Sequence, residues 1–307
     1  MNKVEERKNM KSKKIVIWGT GVYGQRVYLG GGTIRAGLEV VAYTSSNTER
    51  WGHTIHNIPI VSPEQLTKMK YDCVFVAISH PKAYGEVLST AEKYGLDTKK
   101  FVDIVFDPEY LEFFMDNRYA FIRDFSRKIY EEKIDGNVAE CGVYRGESAK
   151  FINYYFPDRK IYLFDTFEGF AEKDLTAEKM LGNTAFNKSI FATTSVFTDT
   201  AVKYVLKKLK YPENAIIKRG YFPETASGLE DQFAFVNLDM DLYVPMLEGL
   251  RFFWPKLMQG GCILLHDYYH PELPGVKMAV MDFEKELGEM LLKFPIGDHC
   301  SIAVMKR

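Results

Sequence analysis

Two short clusters of side chains could do chemistry together. Asp239-Met-Asp241-Leu-Tyr243 follows the apolar run Ala234-Phe-Val-Asn-Leu238, and His266-Asp267-Tyr268 follows Cys262-Ile-Leu-Leu265. Apolar runs this short read as buried parallel strands. Residues just past such strands project from the carboxyl edge of the sheet, where open α/β folds bind ligands. Clustered carboxylates suit a hard cation such as Mg2+, which keeps open positions for a substrate. An ion held by Asp239 and Asp267 would bind an acceptor hydroxyl and lower its pKa. His266 has three readings: a ligand that favours Mn2+, a general base that titrates near neutrality, or a bystander. Asp241 is a further candidate ligand, or a helix cap.

A second constellation lies upstream. Val138-Ala-Glu140-Cys-Gly142-Val-Tyr144-Arg-Gly146-Glu-Ser148 reads as a strand, an acid, a glycine-bearing turn and a helix start. Phe164-Asp165-Thr166-Phe167-Glu168-Gly169 ends the next strand, with Asp165 25 residues beyond Glu140. A carboxylate there can accept both ribose hydroxyls of an adenosine ligand. Glycines at 142 and 146 let the backbone close around an amino-acid tail. The layout suits S-adenosylmethionine.

A third motif opens the chain. Lys14-Ile-Val-Ile-Trp18 runs into Gly19-Thr-Gly21-Val-Tyr-Gly24, which fits G-x-G-x-x-G between a strand and a helix. The first glycine permits the turn, the second admits a phosphate, and the third lets helix and strand pack. A NAD site expects an acid about 20 residues on, after the second strand. That strand instead ends Tyr43-Thr-Ser-Ser-Asn47, so the motif indicates the fold more than the ligand.

These motifs need elements to hold them. Alternating apolar runs and helical stretches over 13–106 make one doubly wound α/β domain. Over 107–135, Phe113, Phe114, Phe121, Phe125 and Ile129 recur at helical spacing, the pattern of an amphipathic connector. From 136 to 307 a second doubly wound α/β pattern follows. Its stretch 171–213 is longer than a simple crossover needs and reads as a helix plus a lid or substrate loop.

With 307 residues, two domains are expected. Lys plus Arg total 40 against 41 Asp plus Glu, which gives no support to broad binding of nucleic acid or anionic membrane. No apolar run is long enough to span a bilayer. Residues 1–12 read as a disordered tail, and residues 1–14 lack the apolar core of a secretory signal. A cytoplasmic protein is expected. Its four cysteines, Cys73, Cys141, Cys262 and Cys300, are far apart and read as reduced thiols.

From Gly136 onward the chain resembles the macrocin O-methyltransferase family. The matching pieces are GNVAECGVYRGESA, LFDTFEGF, TTSVF, KRGYFPET, VNLDMDLYVPMLEGL and PKLMQGGCILLHDYY, in family order over about half the chain. The resemblance implies a class I methyltransferase-type sheet and transfer of a methyl group from S-adenosylmethionine to a sugar hydroxyl, with Mg2+. It implies that Glu140, Gly142, Tyr144, Asp165, Thr166 and Phe167 hold the cofactor, with Ser195 and Gly220 beside the adenine. Asp239 would bind the metal and take the acceptor proton, with Asp267 a second ligand. The family usually has Asp-Asp where this chain has His266-Asp267. The acceptor would be a sugar or nucleotide sugar, and a homo-oligomer is expected. The first domain resembles Rossmann-like N-terminal domains of sugar-modifying enzymes, through Trp51-Gly52 and Pro59-Ile60-Val61. Two other readings remain open at this point: a NAD(P)-linked sugar oxidoreductase, or a non-catalytic nucleotide-sugar-binding module.

Overall fold

The computed structural model describes residues 13–29, 33, 36–80 and 82–307; the expected tail lies outside them. The chain divides into two compact units at the junction of Asp116 and Asn117.

The first unit is built on β1 (Lys14–Trp18), β2 (Glu39–Thr44), β3 (Thr54–Ile55), β4 (Ile58–Val61), β5 (Cys73–Val76) and β6 (Phe101–Asp103). Their order is β3-β4-β2-β1-β5-β6, parallel throughout except the short β3–β4 pair. Helices α1 (Val22–Leu29), α2 (Pro63–Leu66) and α3 (Ala83–Lys93) complete it. Ser62 caps α2, with Gln65 returning the bond in a capping box. Val16 and Trp18 pack with Val74, Val76, Val87 and Ala91 in one core cluster.

The glycine turn between β1 and α1 forms as the sequence indicates. Gly19 has φ +132° and bonds to the carbonyl of Thr44 at 3.0 Å. A Cβ at Gly24 would overlap the Gly19 carbonyl oxygen, whereas Gly21 faces open space.

The second unit carries β7 (Asn137–Cys141), β8 (Ile161–Asp165), β9 (Ala215–Arg219), β10 (Phe233–Leu238), β11 (Leu257–Leu265), β12 (Leu292–Pro295) and β13 (Ile302–Met305). The order is β12-β13-β11-β10-β7-β8-β9, with β13 antiparallel to both of its neighbours. All six residues of β10 are buried, as expected of a central strand covered on both faces. From β7 the chain winds to β8 and β9 on one side, then returns to β10 and β11 on the other. The crevice between the carboxyl ends of β7 and β10 is therefore the switch point where ligands bind.

Residues 107–135 are largely helical, and they are shared between the units. A 3-10 stretch at Pro108–Phe114 buries Phe113 against Phe75, with ring centroids 5.4 Å apart, in the first unit. Helix α4 (Asn117–Glu131) buries Tyr119, Ile122, Phe125, Ser126 and Ile129 in the second. Tyr119 stacks on Phe151 at 3.9 Å, and Phe125 meets Phe235 of β10 at 5.9 Å. Helix α5 (Glu147–Tyr155) follows β7, and the long segment after β8 forms α6 (Glu172–Met180), α7 (Thr184–Lys188) and α8 (Val202–Lys208). Helices α9 (Tyr243–Lys256) and α10 (Pro274–Leu287) contribute to the core of the second sheet further on. Among the described residues, no helix is long and apolar enough to cross a membrane.

The glycine turn yields a paired test. Alanine at a helical glycine normally stabilises, yet Gly24→Ala places its methyl on backbone. Thermal unfolding should show Gly24→Ala losing about 1–3 kcal/mol. Gly21→Ala should lose less than about 1 kcal/mol; equal losses would contradict the packing described.

Candidate active site

Backbone bonds just past the strands fix the edge of the second sheet. The amide of Gly142 donates to Phe164, Asp239 to Cys141, His266 to Leu238 and Gly220 to Asp165, at 2.8–3.0 Å. Each sequence-expected site residue on β7, β10 and β11 therefore leaves its strand in register with its neighbours. Gly142 has φ +83°, and a Cβ there would overlap the Asp239 carbonyl, so this approach of β7 to β10 requires glycine.

At the floor lies Glu140, only 1% exposed. Asn237, its register partner on β10, donates to Oε1 at 2.9 Å. The other carboxylate oxygen, Oε2, has no partner, nor has Asn237 Oδ1. Burial, then the neighbouring Asp239 charge, push the Glu140 carboxyl up to about 8. An unpaired buried carboxylate oxygen is costly and invites a cationic hydrogen-bond donor. The aminium of an amino-acid tail fits that need.

Asp165 is more committed than the sequence suggests. Its Oδ2 accepts the amides of Val143 and Tyr144, both at 2.7 Å, and Oδ1 accepts Phe167 at 2.6 Å. A carboxylate offers about four acceptor sites, so three amides leave little for two ribose hydroxyls. Asp165 thereby clasps the β7 turn to the β8 loop. Thr166 closes that loop by donating to Gly169 at 2.7 Å.

The segment after β8 folds back over this turn. The Tyr144 hydroxyl donates to Asp199 at 2.6 Å, Arg145 also pairs with Asp199, and Thr200 donates to the Tyr144 carbonyl. A Cβ at Gly169 would crowd the carbonyls of Thr194 and Val196, which places the exposed Ser195 beside the 165–169 loop. Glu178 of α6 is fully buried and accepts the Tyr243 amide at 2.7 Å, anchoring the segment at the start of α9.

The acidic edge comes together as the sequence predicts. Ligand oxygens of Asp239, Asp241 and Asp267 lie within 4.8 Å of one another. His266 Nδ1 sits 2.9 Å from Asp239 Oδ1 and 2.7 Å from Asp267 Oδ2. Arg118, which sequence reasoning missed, reaches in from the first turn of α4 and pairs with Asp239 Oδ2 at 2.8 Å. Burial alone would raise Asp239, but His266 and Arg118 overcome it and hold the carboxyl well below its usual range. For His266, burial works against the charge, while Asp239 and Asp267 raise it to about 10. Asp241 is pushed well above its usual range by burial and by Asp267 and Asp239. Three carboxylates thus share two cations, Arg118 and His266. That deficit of positive charge, with an imidazole among the donors, fits a divalent cation.

Strain gathers at the same edge. Tyr144, Phe167, Asp241 and Asp267 all have φ between 48° and 63°. Aspartate tolerates this region, whereas an aromatic side chain must be held there by its surroundings.

The solved structure of the O-methyltransferase NovP superposes with a TM-score of 0.53 at 20% identity, over 63% of this chain and 81% of that one. Over that span the chain shares the fold of that protein. The family described as macrocin-O-methyltransferase (TylF) matches residues 111–296, and the chain belongs to it. A family described as C2185-like, N-terminal, matches residues 11–102. Mycinamicin III 3''-O-methyltransferase of Micromonospora griseorubida is 24% identical over 165 residues, 50% of this chain and 63% of that protein. The match thus spans less than two thirds of that relative.

The His266 environment generates a pH test. A raised folded-state pKa means stabilisation that is complete below pH 6.5 and fades as pH rises through about 10. Denaturant unfolding of chelator-treated protein should show parent and His266→Gln most different at the lower pH and converging at the higher. A gap that widens with pH would contradict the imidazolium assignment.

Proposed function

We propose that this chain transfers a methyl group from S-adenosylmethionine to a sugar hydroxyl, with a divalent cation at the acidic edge. The observation that carries the proposal is the unpartnered Glu140 Oε2 at the β7–β10 switch point, beside the Gly142 turn. Family membership supports methyl transfer to oxygen, and the relative named for 3''-O-methylation supports a sugar acceptor.

The chain's own residues divide the work. Glu140 receives the aminium of the cofactor's amino-acid tail, and the Gly142 turn leaves that tail room. Asp165, Thr166 and Phe167 shape the adenosine side, with Ser195 and Gly220 at its border. Helix α6 and the 189–201 stretch border this side. Asp239, oriented by Arg118 and His266, receives the acceptor proton at Oδ1. A cation bound by Asp239, His266 and Asp267, with Asp241, would supply positive charge for the developing alkoxide. The remaining rate enhancement is positioning of the acceptor oxygen in line with the methyl group. A cytoplasmic site of action follows, where S-adenosylmethionine is available.

Glu140 supplies the test. With its carboxyl raised to about 8, it is largely protonated near neutral pH and must ionise to receive a cation. Calorimetric titration of S-adenosylhomocysteine, in buffers of different ionisation enthalpy, should show protons released at neutral pH. Glu140→Gln should abolish that release and weaken binding about 10- to 100-fold. Unchanged affinity in Glu140→Gln, or no binding to folded parent protein, would overturn the proposal.

A further inference from the structure

Cys300 stands apart from the other thiols. Cys141 and Cys262 are fully buried within β7 and β11, among apolar neighbours. Cys300 instead precedes β13, and its Sγ donates to Asp267 Oδ1 at 3.1 Å. Its backbone is held on both sides. Asp298 Oδ1 accepts its amide at 3.0 Å, and its carbonyl accepts the Tyr269 amide at 3.0 Å. Asp298 also accepts the Ser301 amide at 2.7 Å and the Ser301 hydroxyl at 2.6 Å. The thiol is therefore placed against Asp267 by a built loop.

Ligand atoms of His266, Asp267 and Cys300 lie within 4.8 Å of one another. They overlap the carboxylate group through Asp267, which belongs to both sets. Three chain segments converge here: the end of β10, the end of β11 and the loop before β13. Together they offer carboxylate oxygen, imidazole nitrogen and sulfur.

We propose that this is a mixed oxygen, nitrogen and sulfur site, in which Cys300 binds as a thiolate beside His266 and Asp267. Such a site selects a borderline transition ion of the Zn2+ or Co2+ class over Mg2+. The physical reason is donor softness. Mg2+ takes oxygen ligands and keeps much of its water, whereas thiolate and imidazole favour later first-row ions. On binding, the sulfur–metal bond replaces the sulfur–hydrogen bond, and that proton leaves to solvent. His266 likewise releases its Nδ1 proton and offers the freed lone pair. Asp239 and Asp267 then exchange a hydrogen bond from His266 for the ion.

This inference rests on the proposed cation site but not on methyl transfer, and it is tested without turnover. Chelator-treated full-length protein is titrated with Co2+ and its absorption spectrum recorded. A thiolate-to-cobalt charge-transfer band should appear in the near ultraviolet. Cys300→Ala should lose the band and bind Co2+ about tenfold more weakly or worse by equilibrium dialysis. Cys73→Ala should keep both, and equimolar Mg2+ should displace neither. Absence of the band, its survival in Cys300→Ala, or displacement by equimolar Mg2+ would overturn the proposal. S-adenosylhomocysteine binding, measured on the same samples, reports the cofactor site separately. Its loss with the band intact would remove the methyltransferase reading and leave the metal assignment standing.

Discussion

Four carboxylates, Glu140, Asp239, Asp241 and Asp267, share one edge of the second sheet, and each is wholly or largely withdrawn from water. Like charges so close cannot all ionise without compensation. The surroundings answer this in three ways. Arg118 and His266 bring positive charge to Asp239, Asn237 bonds to Glu140, and burial with Asp267 and Asp239 pushes the Asp241 carboxyl well above its usual range. What remains unanswered is Glu140 Oε2 and the surplus of acid around Asp267. Those two deficits mark where a cationic cofactor tail and a divalent cation would be taken up.

The fold serves that edge. Strand order brings β7, β10 and β11 side by side, and inter-strand bonds hold the first residue past each strand in register. Gly142 is needed because the β7 turn presses on the β10 backbone. Asp165 then ties that turn to the loop after β8 through three amides. The segment carrying α6, α7 and α8 closes the side, with Tyr144 and Arg145 meeting Asp199 and Glu178 meeting the start of α9. The Asp165 and Asp199 contacts constrain the glycine turn, and Glu178 anchors the segment that lies over it.

Much of this was legible in the sequence because parallel sheets leave a strong imprint. A buried strand is a short apolar run, and the polar residues immediately after it must lie at the carboxyl edge. That rule placed Glu140, Asp239, His266 and Asp267 from spacing alone. It could not place partners that arrive from elsewhere in the chain. Arg118 lies 121 residues from Asp239. Its one signal was electrostatic, since a cation in the first turn of a helix opposes the dipole and implies an acid partner. Cys300 was read as an ordinary thiol because nothing in a lone cysteine's neighbours shows which loop it faces. Strand β12 went unread because its four residues, Leu-Lys-Phe-Pro, are too few to establish an alternation and end in a proline, which reads as a breaker. Asp165 was assigned to ribose because spacing shows where a carboxylate is, not which amides already occupy it.

The most direct measurement is methyl transfer itself. Purified full-length protein would be incubated with methyl-labelled S-adenosylmethionine, a divalent cation and a panel of nucleotide sugars and glycosylated small molecules. The products would be separated and the labelled atom mapped by NMR. The expected result is label on a sugar hydroxyl oxygen of at least one acceptor class, lost in Asp239→Asn. Label on nitrogen or carbon, or transfer that persists undiminished in Asp239→Asn, would contradict the chemistry assigned to this edge.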